Sequence, residues 1–148
     1  MGRRQRQFPF EGMVFRSKYE QNQAAILINE GINFEYETVS MFYTQVVNKG
    51  ECKDCGGTRV VKVRSYTPDF WFPESKIFVE TKGKFTPENR TKMKDITEQS
   101  EHDIRMVFMA DNWLTRKHGM RYSRWCELND IQFAVGNIPL SWLDKDRR

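Results

Sequence analysis

Residues 76–82 (Lys-Ile-Phe-Val-Glu-Thr-Lys) restrict the fold of this 148-residue chain more than any other segment. Their alternation reads as a strand, with Ile77, Val79 and Thr81 on one face and Phe78, Glu80 and Lys82 on the other. The run is apolar enough that Glu80 and Lys82 are expected to be half-buried, where a charge needs a partner or a purpose. Such a strand must be covered by other elements, and the chain is long enough for one domain with a real core, without disulfide staples. Hydrophobic residues make up 39% and charged residues 30%, which sets the chain apart from disordered sequences. The longest uncharged run, the thirteen residues Ile131–Leu143, is broken by Gly136 and Pro139 and is too short to span a bilayer. No charged-then-apolar leader opens the sequence. Three cysteines (Cys52, Cys55, Cys126) form no secreted disulfide framework. The expectation is a soluble, intracellular, single-domain protein.

The remaining pattern alternates strands with helices. Ser17 through Glu20 fits a capping box, and Ala24, Leu27 and Ile28 with a stop at Gly31 give a helix over about residues 18–30. Ile32, Phe34 and Tyr36 alternate with polar residues as a half-buried strand. Phe42–Asn48 and Thr58–Tyr66 form a hairpin around a glycine-rich tip. Phe70–Phe72 follows Pro68-Asp69. Thr86-Pro87-Glu88 starts a helix that runs to Gln99. A strand at Ile104–Met109, a short helix at Arg121–Leu128, a strand at Ile131–Val135 and a helical turn at Pro139–Leu143 complete the chain. This order favours an α/β sheet covered on its faces.

Charge and spacing suggest a chemistry. The net charge is +4, and residues 1–18 carry Arg3, Arg4, Arg6, Arg16 and Lys18 against Glu11 alone. Residues 1–15 are therefore read as a basic flexible arm, either suited to phosphates or a solvated tail. Asp69, separated by ten residues from the Glu80-Thr81-Lys82 run, would meet it if the two strands are neighbours. Two carboxylates suit Mg²⁺, and a nearby ammonium can steady charge developing on a phosphoryl group. The plainer alternative is a strand that carries Glu-x-Lys for solubility and an aspartate that only starts a turn.

Several blocks together carry a resemblance. Phe15-Arg16-Ser17 with Glu20, Phe34–Glu37, Tyr66–Phe70, Ile77–Gly83, Asp103–Phe108 and the tail from Cys126 through Ile131–Phe133 to Pro139 and Trp142 resemble the phage endonuclease I family. That family comprises Holliday-junction resolvases within the PD-(D/E)XK nuclease superfamily. The resemblance implies a restriction-endonuclease-like mixed central sheet flanked by helices, in an intertwined, helix-exchanged homodimer. It implies that Glu20, Asp69 and Glu80 bind metal, that Thr81 lends its backbone carbonyl, and that Lys82 is the catalytic lysine. Glu20 would complete the partner's site. The implied activity is Mg²⁺-dependent cleavage of four-way and other branched DNA, with Mn²⁺ as a substitute, one strand per site, leaving 5′-phosphate ends. It also implies a phage protein acting in the host cytoplasm. Residues 16–148 would form the nuclease domain, with a hairpin insertion near 44–66. Arg3, Arg4, Arg6, Arg16, Lys18 and Lys84 are the expected DNA contacts.

The insertion departs from the family pattern. Cys52-Lys53-Asp54-Cys55-Gly56-Gly57 has the shape of half a zinc knuckle, and two protomers could each donate Cys52 and Cys55 to one Zn²⁺. A free turn is the simpler reading. Cys126 is expected in the core and His102 and His118 on the surface. Glu35 and Glu37 read as a solvated strand face, with contact to DNA or the metal shell as the lesser alternative. Two rival functions stay open at this stage: a nuclease of the same superfamily that cuts linear DNA, and a non-catalytic DNA-binding module.

Overall fold

In the computed structural model, residues 8–49, 58–117 and 119–143 are described. The basic residues Arg3, Arg4 and Arg6, the cysteines Cys52 and Cys55, and His118 lie outside that range. The centre is a five-stranded mixed sheet in the order β3 (Glu35–Tyr36), β6 (Phe70–Phe72), β7 (Ile77–Lys82), β8 (Asp103–Phe108) and β9 (Phe133–Val135). β6 and β7 are antiparallel across the turn that ends at Lys76, whose φ of +56° supplies the left-handed bend. β8 and β9 run parallel to β7 in turn. Their crossovers are α2 (Pro87–Gln99) and α3 (Tyr122–Leu128). Thr86 caps α2 by accepting the Asn89 N–H at 3.2 Å, and Pro87 occupies the first helical position, where no N–H is needed.

Side-chain alternation on β7 splits the core between two faces. Phe78 packs with Phe85, Met93, Ile96, Met106 and Phe108 beneath α2 and α3. Ile77 and Val79 pack with Phe70, Phe72, Val107 and Leu27 beneath α1 (Lys18–Asn29). Cys126 is fully buried in the first cluster, and its thiol is pushed up to about 12, chiefly by burial. His102 is exposed and meets the edge of the Phe78 ring.

Two features differ from the sequence reading, and a third, the expected hairpin, is borne out and stands apart from the central sheet. The second half of the expected arm is not loose: β1 (Phe8–Phe10) pairs with β2 (Met13–Phe15). Glu11 and Gly12 both take positive φ at its two-residue loop, as a tight hairpin turn requires. Phe15 is fully buried. The strand expected from Ile32 shrinks to Glu35–Tyr36, because β6 offers only three residues and Glu37, at φ +51°, turns the chain away. Finally, β4 (Met41–Lys49) and β5 (Thr58–Tyr66) form a nine-pair ladder standing as a separate two-stranded sheet. Tyr43 and Tyr66 root it in the core, and Gln99 accepts from and donates to the Thr44 backbone. Its other face exposes Phe42 at 77%, Val63 at 71%, Val61 at 62% and Val46 at 60%.

Candidate active site

The β6–β7 register pairs Phe70 with Val79, so Asp69 stands just beyond β6 opposite Glu80 and Thr81. Asp69 is buried, and its Oδ2 accepts both the Thr81 N–H at 2.8 Å and the Thr81 hydroxyl at 2.7 Å. Glu80 is buried as well. Its Oε2 accepts the Tyr66 hydroxyl at 2.8 Å, and its Oε1 meets Lys82 Nζ at 2.9 Å. Lys82 keeps part of its side chain in solvent. Two carboxylates and one ammonium therefore meet at the β6–β7 edge, the lip formed by the ends of these two interior strands, as the spacing of Asp69 and Glu80 predicts.

α1 adds a third carboxylate. Ser17 caps the helix by accepting the Glu20 N–H at 3.1 Å and donates its hydroxyl to Glu20 Oε2 at 3.0 Å. The capping reading of Glu20 is thus realised, and its carboxylate is buried beside the others. Within this single chain α1 is docked on its own sheet. Tyr19 donates to the Gly136 carbonyl at 2.6 Å, and the Gln23 side chain bonds Asn137 and the Ile138 N–H. In this arrangement the Glu20 charge is close enough to raise the pKa of both Asp69 and Lys82.

Electrostatics follow from this crowding. Burial, then repulsion from Glu80 and Glu20, holds the Asp69 carboxyl well above the usual carboxylate range, against the lowering effect of the Thr81 bonds. Burial disfavours the Lys82 charge, but Glu80, Asp69 and Glu20 outweigh it and raise the ammonium's pKa. Lys82 is therefore a fixed cation and donor rather than a base. Burial and then Glu80 also raise the Tyr66 phenol, which keeps its proton for Glu80.

Glu37 belongs to the same neighbourhood. Its N–H donates to the Asp69 carbonyl at 2.9 Å, and its carboxylate pairs with Arg16 Nε at 2.8 Å. Burial raises it, and Glu20 and Glu80 add to that effect against Arg16. Arg16 is thus engaged with an acid, while Lys18 donates to Gln21 Oε1 at 2.7 Å. Lys84 is exposed two residues beyond Lys82. Glu35 is exposed and accepts the Thr38 hydroxyl. Tyr66 and the Thr81 hydroxyl were not evident as site residues in the sequence. Only the strand registers place them, Tyr66 at the end of β5 and Thr81 across from Asp69.

The donor set is one of hard oxygens, with excess negative charge that a divalent cation would relieve. Among the described residues no three His, Cys, Asp or Glu side chains converge closely enough to hold an ion by themselves. Mg²⁺ does not require that, since it typically keeps several waters and takes one or two carboxylates. Asp69 and Glu80 could supply those two, so the residues fit the ion.

Comparison with known proteins agrees in kind. The sequence profile of the family described as phage endonuclease I matches residues 1–148. Endonuclease I of Escherichia phage T7 is 34% identical over 137 residues, covering 91% of this chain and 82% of the relative. Endodeoxyribonuclease 1 of Enterobacteria phage T3 is 33% identical over 140 residues, covering 93% and 82%.

Proposed function

The chain belongs to the phage endonuclease I family, and on that premise we propose that it is a structure-selective endodeoxyribonuclease that resolves four-way junctions and other branched DNA. The observation that carries this reading is the meeting of Asp69, Glu80 and Lys82 where the interior strands β6 and β7 reach the end of the sheet, with Lys82 Nζ 2.9 Å from Glu80. Asp69 and Glu80 would hold Mg²⁺, or Mn²⁺ in its place, with the Thr81 carbonyl and Glu20 as further ligands. Bound there, the ion would polarise the scissile phosphate and acidify a water. Lys82 donates toward the charge that develops on the phosphoryl oxygens. Glu80 holds that ammonium in reach, Tyr66 fixes the Glu80 carboxylate, and Thr81 fixes Asp69. The products would be 5′-phosphate ends, one strand cut per site.

The acting unit in this reading is a helix-exchanged homodimer of restriction-endonuclease-like domains, in which α1 docks on the partner through the same contacts it makes within one chain. The bare face of the β4–β5 hairpin supports a second copy as its cover. Phe42, Thr44 and Val46 with Val61, Val63 and Ser65 form a stretch without charge, so two copies can meet there without like-charge repulsion. Arg3, Arg4, Arg6, Arg16, Lys18 and Lys84 would contact phosphates. Zn²⁺ shared through Cys52 and Cys55 of two protomers is a lesser part of the proposal. Action in the host cytoplasm fits a phage enzyme, and no described helix is long and apolar enough to cross a membrane.

Digesting a synthetic four-way junction beside its separate linear arms, with Mg²⁺ or with chelator, tests the function. Cleavage of the junction in Mg²⁺ alone is the expected result. Equal cutting of the linear arms would replace the reading with a linear-DNA nuclease, and no metal-dependent cutting at all would refute it.

A further inference from the structure

Directly beyond Lys82 the surface opens into a groove of about 530 Å³, within the usual size range of small-ligand sites. Phe85 and Tyr122 lie in its lining and contact each other edge-on at 5.6 Å, with Tyr122 Oη accepting the Phe85 N–H at 3.2 Å. Lys84 and Arg116 bring two exposed cations to it, and no carboxylate is among its described lining residues. Trp113, at 38% exposure, also lines it.

This indole is held rather than left loose. Arg121 packs its guanidinium carbon 4.2 Å from the Trp113 ring centroid and donates Nη1 to the Asp111 carbonyl at 2.7 Å. The neck of the loop closes through Leu114 N–H to the Met120 carbonyl at 2.7 Å and Tyr122 N–H to the Asn112 carbonyl at 3.0 Å. Asp111 is in turn fixed by accepting the Ser123 N–H and hydroxyl. The loop is also tied to the catalytic strand, because Met109 N–H donates to the Lys82 carbonyl at 3.0 Å. An aromatic surface held in place loses little conformational freedom when it stacks on a ligand.

We propose that this groove is a nucleotide subsite, in which the base of one unstacked nucleotide at the DNA branch rests against Trp113 while Lys84 and Arg116 take the flanking phosphates. The proposal rests on the branched-DNA reading above and adds the reason a branch would be preferred. A base inside an intact duplex has no free face to offer, whereas one at a branch can be splayed out and stacked. The two residues from Lys82 to Lys84 span at most about 7 Å, one or two nucleotide steps along a strand. The subsite thus lies next to the bond that Lys82 would help to break.

The test is a binding cycle in chelator, where no cleavage occurs. The full-length wild-type chain and Trp113→Ala are titrated against a four-way junction and against the same junction with abasic residues at the branch. Stacking of one base should give the wild type a preference for the intact junction of about 5- to 150-fold, the equivalent of 1–3 kcal/mol at 1.4 kcal/mol per tenfold. Trp113→Ala should lose that preference, and Trp113→Phe should retain most of it. If the alanine variant does not fold, Trp113→Leu, which keeps apolar bulk without an aromatic face, takes its place with the same expectation. A wild type indifferent to the missing bases, or variants that weaken both junctions equally, would overturn the subsite. Mg²⁺-dependent cutting of the intact junction by the wild type is scored separately, so an indifferent groove on an active enzyme strikes only this inference.

Discussion

The β6–β7 edge and the β4–β5 hairpin are both built from antiparallel strands, yet they end in opposite states. At the edge, each buried charge has a partner within the chain: Asp69 has Thr81, Glu80 has Tyr66 and Lys82. On the hairpin, four large apolar side chains from Phe42 to Val63 stand bare. Polar groups at the first region are satisfied within the chain, whereas apolar groups at the second are left to solvent. The same division runs through α1, whose Glu20 reaches the edge only as far as its docking on residues 136–138 allows.

The largest effect is expected at the edge. Lys82→Ala should slow junction cleavage by on the order of 10²–10³ while junction binding survives, since it removes one donor to developing charge. Single-turnover cleavage with a parallel binding titration measures both, and a variant cutting at the wild-type rate would break the contrast between the two regions.

On the hairpin, Val46→Asp should leave the fold and the edge intact but weaken the dimer. A buried valine contributes about 1.5–3 kcal/mol, so dissociation should rise by at least about tenfold. Sedimentation at several concentrations reads this, and an unchanged dimer would show that the bare face is covered by something else.

A smaller effect sharpens the account of charge. With its pKa raised in the folded state, Asp69 binds its proton more tightly there than in the unfolded chain. The resulting stability is present below the ordinary carboxylate range and is lost as pH rises through the folded pKa. Asp69→Asn, whose amide oxygen can still accept from Thr81, should therefore raise the melting temperature of metal-free protein near neutral pH. Each kcal/mol of relieved repulsion is worth roughly 2–4 °C in a domain of this size. Mg²⁺ should raise the melting temperature of the wild type and not of the variant. A variant less stable than wild type at neutral pH would contradict the repulsion.

Ser17→Ala should have the least effect. Loss of the cap costs about 0.5–2 kcal/mol, and the Glu20 carboxylate loses its hydroxyl partner. A thermal melt with no shift would mean that α1 is held by its docking contacts alone.

Much of this was legible in the sequence because it is written in short range. The alternation in residues 77–82, the Ser17–Glu20 spacing and the Thr86-Pro87 start each depend on neighbours a few residues away. The meeting of Asp69 with Glu80 needed one further assumption, that their strands pair. Tyr66 at Glu80 was beyond reach, because it depends on where a separate hairpin roots in the core. Glu37 read as a solvated face, since its left-handed turn toward Asp69 is a backbone choice that its side chain does not announce. The β1–β2 hairpin was hidden by its three-residue strands amid arginines. The Trp113 groove exists only because a loop closes on the end of β7.

The central claim is that a catalytic edge built by one chain is used by two, with Glu20 supplied across the dimer. Mixing Glu20→Ala and Lys82→Ala protomers, unfolding and refolding them together, tests it most directly. If α1 is exchanged, the heterodimer gathers both lesions into one composite site and leaves the other intact. The mixture should then nick one strand of a four-way junction far above either parent, without making the paired cuts that resolve it. Activity no greater than that of the parents, with subunit exchange verified, would contradict the account and leave Glu20 serving its own chain.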